Sequence, residues 1–418
     1  MTKPASLVLA LSALLVILFS GCAGTEARFV SVWTDRPEIA AYLEAYNVAQ
    51  DRFRAGVELV DSVSDALLQR DDHPDLVIGR YLSNETTIPL LAEITGPVED
   101  IGREHFYPEL LALGAREQAQ YLVPLSFNLP GVMFNADPEV TGADNSAIPD
   151  FALSLEELQE LGAAFNTLRE ERYVRMGFSP RWNSQFPYTS ARLFGADFRE
   201  EEERFAVWDR EALSGGIDFL RDWTEERNGG VEAENVFEEQ YLYDPPYQLI
   251  LRERIRFAAI DSGRYFRLTD EQRDAVDFRW LQRSDLIPVM ENVLFAGVPA
   301  ESRNRDGGLN LLRWLFRPES QEELLRMVVS KQLPGFGVAG GFSAFPEVNE
   351  LAFPKVYPSL LGMIPPARML QLPGLVPKDW GPIKEDVVQP WLRQAIADGR
   401  DQPELERRIR SWVLQKGE

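Results

Sequence analysis

One cysteine and two histidines are all that the 418-residue chain offers for disulfides or imidazole metal ligands. A single thiol closes no internal disulfide. His73 and His105 stand apart, which argues against a metal site built on imidazole. Positive charge is also short: 43 Lys+Arg against 66 Asp+Glu give a formal charge of −23. No basic cluster interrupts that surface, so a nucleic-acid partner is not expected. The acidic runs Glu200 to Glu203 and Glu232 to Glu239 read as solvated helix faces. Beyond the N-terminal segment no apolar run is long enough to span a bilayer, so the remainder is expected to be soluble. No solenoid repeat or low-complexity block occurs. There is no Gly-x-Ser-x-Gly elbow and no phosphate loop, and nothing calls for a cofactor.

What the chain does have begins at its N-terminus. Lys3 precedes the apolar stretch Leu7 to Phe19, and Phe19-Ser20-Gly21-Cys22 follows. A basic start, an apolar middle and small residues at the cut describe a secretory signal peptide over 1–21. The stretch is shorter than the roughly 20 residues that cross a bilayer as a helix. Cys22 at the cut resembles a bacterial lipobox cysteine, with Phe19 where Leu is usual. That resemblance implies a thiol carrying diacylglycerol, palmitate among the acyl groups, and a chain tethered to the extracytoplasmic face of a membrane or in the periplasm. The alternative is an ordinary secretory signal followed by a chance cysteine. Residues 22–27 then read as a short lipidated tether.

The mature part is large enough for two domains, and its 45% hydrophobic and 11% aromatic content is that of a globular protein. Phe29 to Trp33 alternates as a strand, and Ile39, Tyr42, Leu43 and Tyr46 share one face of a helix over Glu38 to Asn47. Gly56 to Val60 and His73 to Gly79 read as further strands, and Thr86 to Glu93 as a helix. Alternation of this kind predicts an α/β sheet with mostly parallel strands, and ligands bind beyond the carboxyl ends of such strands. Two extended runs, Tyr121 to Asn128 and Gly131 to Pro138, are broken at Leu129-Pro130, as if a strand left one domain and entered another. Ser154 and Glu157 form a capping-box signature. Val174 to Ser179 and Arg256 to Tyr265 read as a strand and as a strand with a turn. Helices are predicted over Leu309 to Phe316, Glu319 to Val329, Val387 to Ile396 and Pro403 to Leu414, with a Gly/Pro-rich loop over Leu333 to Pro346.

In this order the segments resemble extracellular solute-binding proteins of bacterial ABC transporters, the maltose-binding-like sugar family. Pro74-Asp75-Leu76-Val77 is similar to that family's Pro-Asp-apolar-apolar strand. Val123-Pro124 followed by Met133-Phe134-Asn135-Ala136-Asp137 is similar to its crossing segment. Leu193 to Phe198, Phe257 to Tyr265, and Ala300 to Asn304 with Leu311 to Gln321 resemble later motifs, each with substitutions. The resemblance runs over nearly all of residues 28–415. It implies a two-lobed, type II periplasmic-binding-protein fold with a ligand cleft between the lobes. The first lobe is expected over 28–126 with 294–330, the second over 131–285 with 331–418, and the hinge near 128–131 and 286–293. Hinge closure is the expected motion.

A sugar site needs flat aromatic faces and planar polar groups. The candidate platforms are Trp33, Tyr81, Trp182, Tyr243, Tyr247 and Tyr265. The candidate polar partners are Asp35, Arg80, Ser126, Asn128, Arg181, Asn183, Gln185, Asp244 and Arg264. Arg80, Arg181 and Arg264 also suit an anionic ligand such as a sugar acid. The leading expectation is a non-enzymatic, monomeric, lipid-anchored protein that captures a sugar or similar polar solute and hands it to an ABC permease. Two alternatives stay open: a surface glycoside hydrolase, which needs two carboxylates across a cleft, and a binding-protein fold reused as a receptor without transport.

Overall fold

A computed structural model describes residues 27–137, 145–201, 204–333, 335–399 and 401–416. The expected signal peptide and Cys22 lie outside the described residues. Ten strands build the two larger sheets: β1 (Arg28–Thr34), β2 (Phe53–Leu59), β3 (Leu76–Arg80), β4 (Leu122–Phe127), β5 (Pro130–Asn135), β6 (Ala152–Ser154), β7 (Phe257–Asp261), β8 (Val276–Gln282), β9 (Leu294–Gly297) and β10 (Phe342–Ser343). The first sheet has the order β10-β4-β9-β3-β1-β2 and the second β7-β5-β8-β6. The molecule is α/β and two-lobed, with helices packed on the sheets.

The sheets are mixed, and two of the reversed strands, β5 and β9, share one cause; the third, β10, is a short edge strand antiparallel to β4. In the first, β1 pairs parallel to β2 and β3, while β9 runs antiparallel to both β3 and β4. In the second, β5 runs antiparallel to β7 and β8, and β8 pairs parallel to β6. β5 and β9 are the strands that enter a lobe from the other one. Each arrives at the cleft, where the carboxyl ends of that lobe's own strands point, and so must run against them. Both strands of the first crossing, β4 and β5, are buried along their whole length, which explains their mostly apolar sequence, interrupted only by Ser126 and Asn135. Pro130 is tolerated as the first residue of β5.

Local signals in the sequence have visible counterparts. The helix Ile39–Ala49 buries Ile39, Tyr42, Leu43 and Tyr46. Ser154 and Glu157 make the full capping box of the helix Leu155–Phe165. Asp75 closes a knot between distant motifs: its carboxylate accepts from the Ser31 amide at 2.9 Å, the Ser302 hydroxyl at 2.9 Å and the Asn304 amide at 2.8 Å. Asn304 in turn caps the helix Arg305–Leu315. The Pro74-Asp75 and Ser302-Asn304 segments are therefore a structural clasp.

Five expectations need correction. Glu200 and Glu201 of the acidic run Glu200 to Glu203 lie in a strand, Arg199–Glu201, paired antiparallel to Arg204–Val207, and not on a helix face. Thr86 to Glu93 is not a helix. Only the short turn Ile88–Leu90 forms, because Pro89 carries no amide hydrogen to continue the ladder, and the helix begins later at Thr95. Strand structure near Val174 to Ser179 stops at Arg175, within a hairpin with Thr167–Arg169. Beyond it Gly177 lies against the Gly162 backbone, where a Cβ would stand 2.1 Å from the Gly162 carbonyl oxygen. In the acidic run Glu232 to Glu239, Glu234 is buried instead of solvated, held by Arg181 at 3.2 Å and Asn228 at 2.7 Å. Finally, β10 lies in the segment expected for the second lobe, yet it pairs with β4 at the edge of the first sheet. The chain passes to the second lobe later, through residues 362–371. There Leu370–Gln371 pairs parallel to Ile287–Pro288, and the Met363 carbonyl accepts from the Trp280 indole at 2.6 Å. This third crossing has no counterpart in the sequence reading.

Candidate functional site: a polar cleft between the lobes

A cavity of about 280 Å³ opens where the two lobes face each other. From the first lobe it receives the residues just past the ends of β1 and β3. Thr34 Oγ1 accepts from the Arg36 amide at 3.1 Å, which folds the chain back after β1. Arg36 then donates to the buried Glu38 carboxylate at 2.9 and 2.6 Å. Its guanidinium lies so close to Gly340 that a Cβ there would stand 2.0 Å from Nη2, and Gly340 also has φ +86°. Arg80 closes β3, and its Nε donates to Asp35 at 2.6 Å. Burial alone would lower the Arg80 guanidinium, and the Asp35 carboxylate more than offsets this, so its pKa ends above the usual value. Tyr81 follows with φ 55°, a strained conformation for a bulky residue. Its carbonyl is held by Asn84 Nδ2 at 2.7 Å and Ser64 Oγ at 3.3 Å. Burial pushes its phenol far above the ordinary range.

The second lobe contributes the start of the helix Gln185–Leu193 and the turn after β7. Asn183 Oδ1 accepts from the Gln185 amide at 2.9 Å, and Asn183 Nδ2 donates to the Ala259 carbonyl at 3.3 Å. Asp261 caps the turn by accepting from the Arg264 amide at 2.9 Å, and Arg264 Nε lies 3.3 Å from the same carboxylate. Arg267 Nε donates to the Gly263 carbonyl at 2.9 Å.

The crossing segments form the floor. Asn128 Nδ2 donates to the Gly340 carbonyl at 3.0 Å, its Oδ1 accepts from Ser262 Oγ at 2.7 Å, and its carbonyl accepts from the Met290 amide at 2.9 Å. Asn292, also in the lining, has a buried Oδ1 with no partner among the described residues. Beneath it a charge cluster ties the second crossing segment to two helical segments. Lys384, which lines the cavity, donates to Glu291, and Arg192 lies 3.8 Å from that carboxylate. Burial would raise the Glu291 carboxyl, but these two cations outweigh it and hold it below the usual carboxylate range.

The cleft thus gathers Arg80, Tyr81, Asn128, Asn183, Gln185 and Arg264 from the sequence candidates. The others lie elsewhere. Trp33 is buried, its indole donates to Glu58 at 3.1 Å, and Arg70 covers its ring at 4.1 Å. Asp35 serves the site through Arg80. Ser126 is buried and donates to the Ala339 carbonyl at 3.3 Å. Arg181 forms its buried pair with Glu234. Trp182 stacks on Phe237 at 5.4 Å. Tyr243 is exposed, and Asp244 pairs with Arg252. Tyr247 is half-buried and accepts from Gln248 at 3.0 Å. Tyr265 is buried, donating to the Val276 carbonyl at 3.1 Å.

Sequence reasoning missed Arg36, Asp261 and Arg267, each within a few residues of a candidate at a strand end. It also missed Lys384 and Glu385, which sit in a helical tail with no cleft signal. Among the described residues no cluster of His, Cys, Asp or Glu fit to hold a metal ion occurs, and no helix is long and apolar enough to cross a membrane.

No protein-family model matches the chain, and no curated protein matches it in sequence. Solved structures do match in fold. The sugar-binding protein MalE from Xanthomonas citri aligns with a TM-score of 0.66 at 12% identity, covering 93% of this chain and 99% of that one. The cyclic alpha-maltosyl-1,6-maltose binding protein from Arthrobacter globiformis aligns at 0.64 and 15%, covering 92% and 97%. An ABC substrate-binding protein from Listeria monocytogenes, in complex with cycloalternan, aligns at 0.63 and 12%, covering 93% and 99%. These likenesses show the fold: the two-lobed, type II architecture of substrate-binding proteins.

Proposed function

We propose that the chain is an extracytoplasmic solute-binding protein that captures a carbohydrate in the cleft by hinge closure and delivers it to an ABC permease. The observation that carries this reading is the cavity itself. It is lined from both lobes, beyond the carboxyl ends of β1, β3 and β7, and its floor is the chain crossings. Its volume lies just below the roughly 300–1,000 Å³ usual for small-ligand sites. The lining is rich in side chains that donate and accept hydrogen bonds, which suits a polyhydroxylated ligand. Proteins of this fold with carbohydrate in their names support the same class.

In this reading the hinge consists of residues 128–131 and 286–293 together with the crossing at 362–371. The first lobe is 28–126 with 294–330 and the β10 segment, and the second is 131–285 with the C-terminal helices. Cys22 is the anchor, carrying diacylglycerol, whose two acyl chains hold a protein at a membrane far more firmly than the single chain that binds only marginally. Replacing Cys22 with Ala should release the protein from the membrane fraction, and mass spectrometry of the wild type should find the lipid on residue 22.

The functional test is a screen of intrinsic tryptophan fluorescence against sugars, sugar acids, polyamines and peptides. Saturable change with carbohydrates alone supports the reading. A flat response to all of them removes it, and turnover of chromogenic glycosides replaces it with hydrolysis.

A further inference from the structure

The cleft of this strongly acidic protein presents guanidinium groups where a neutral-sugar site needs aromatic faces. Five of the six aromatic candidates, Trp33, Trp182, Tyr243, Tyr247 and Tyr265, lie outside the lining, which keeps Tyr81, Phe186 and Phe336, whereas Arg80, Arg264 and Arg267 all lie within it. All three turn Nε toward an oxygen. Arg80 and Arg267 donate through it, to Asp35 and to the Gly263 carbonyl, and the largely exposed Arg264 lies with Nε 3.3 Å from Asp261. Among the described residues none of their Nη groups donates a hydrogen bond. A guanidinium pinned at Nε keeps its Nη1/Nη2 edge free, and that planar edge matches a carboxylate in bidentate geometry. Arg80 keeps its side chain 38% exposed even though Asp35 beneath it is nearly buried. Arg80 belongs to the first lobe and the other two to the second, so one anion could engage both sides of the cleft.

Resting on the carbohydrate reading above, we propose that the ligand is an acidic sugar, a uronic acid or a short oligomer of one. Its carboxylate takes the free edge of Arg80 and is approached from the other lobe by Arg264 and Arg267. Its hydroxyls meet Asn183, Gln185 and the unpartnered Oδ1 of Asn292. Glu385 faces the same cavity. A second carboxylate there disfavours multiply charged anions and suits a ligand with one negative charge among many hydroxyls.

The test is calorimetric titration of the wild-type protein with glucuronate, galacturonate and their oligomers, beside glucose, galactose and their neutral oligomers, with citrate and inorganic phosphate as further probes. The acidic sugars should bind at least roughly tenfold more tightly than the neutral ones, and their affinity should fall as salt rises. Arg267→Gln, at an exposed side chain, should weaken the acidic sugars several-fold and leave the melting temperature nearly unchanged, whereas Arg80→Gln should weaken them by roughly tenfold or more and also lower the melting temperature, because the nearly buried Asp35 loses its cation. Equal or tighter binding of a neutral sugar overturns the proposal and leaves the carbohydrate reading standing. Binding of citrate or phosphate with no response to any sugar overturns both.

Discussion

Lys378 Nζ lies 2.5 Å from the Asp65 carboxylate, joining the C-terminal part of the chain to the helix Val63–Gln69 of the first lobe. Two more contacts lie along the same rim. The Glu85 amide donates to Glu200 at 2.7 Å, and the Tyr81 ring packs so closely on Gly381 that a Cβ there would stand 3.0 Å from it. The lobes therefore meet outside the crossing segments.

The Lys378–Asp65 pair is partly exposed, so Asp65→Ala should lower stability by no more than about 1 kcal/mol. Its larger effect should be on shape. Small-angle scattering of the ligand-free variant should give a greater radius of gyration than the wild type, and an unchanged curve would show that the contact does not hold the rim. Burial works against the Lys378 ammonium, but Asp65 and Asp379 raise its pKa above the usual value. The contact should persist through neutral pH and disappear as pH rises through that raised value.

Glu291 has the opposite sign. Its carboxyl is depressed in the folded protein, so its contribution is present above about pH 4.3, the ordinary glutamate value, and is lost as pH falls through the lower folded value. Glu291→Ala leaves Lys384 and Arg192 buried without their anion and should cost about 3–5 kcal/mol at neutral pH. Urea unfolding across pH should show the gap between variant and wild type closing in acid. A gap independent of pH would mean that the cluster is not held by charge.

Gly308 separates helix propensity from packing. Within the helix Arg305–Leu315 an alanine should gain roughly 1 kcal/mol on propensity alone. Here its Cβ would stand 2.0 Å from the Asp75 carbonyl oxygen. Gly308→Ala should therefore lower the melting temperature, and a rise would contradict the close approach of this helix to β3.

Much of the architecture could be read in the residues because it rests on local patterns. The alternation of β1, the buried face of the first helix, the capping box at Ser154 and the break before Pro130 each mark an element or a crossing. Some of the site was legible for the same reason: Arg80, Tyr81, Asn183 and Arg264 follow strands or begin helices, where side chains face a cleft. What could not be read was long-range. Trp33 also ends a strand, but Glu58 and Arg70, distant in sequence, claim its indole. Lys384 enters the cleft only because the C-terminal helices fold back over the second lobe, and β10 joins the first sheet through pairing with residues more than 200 positions earlier.

The central claim is that the lobes close on a ligand in the cleft, and a distance measures it most directly. Spin labels at Val48→Cys in the first lobe and Leu168→Cys in the second, both exposed positions, in a protein with Cys22 replaced by Ser, report the separation by pulsed electron paramagnetic resonance. With the carbohydrate that binds most tightly in the screen, the distribution should collapse to one narrow, shorter distance. A distribution identical with and without that ligand would contradict capture by closure.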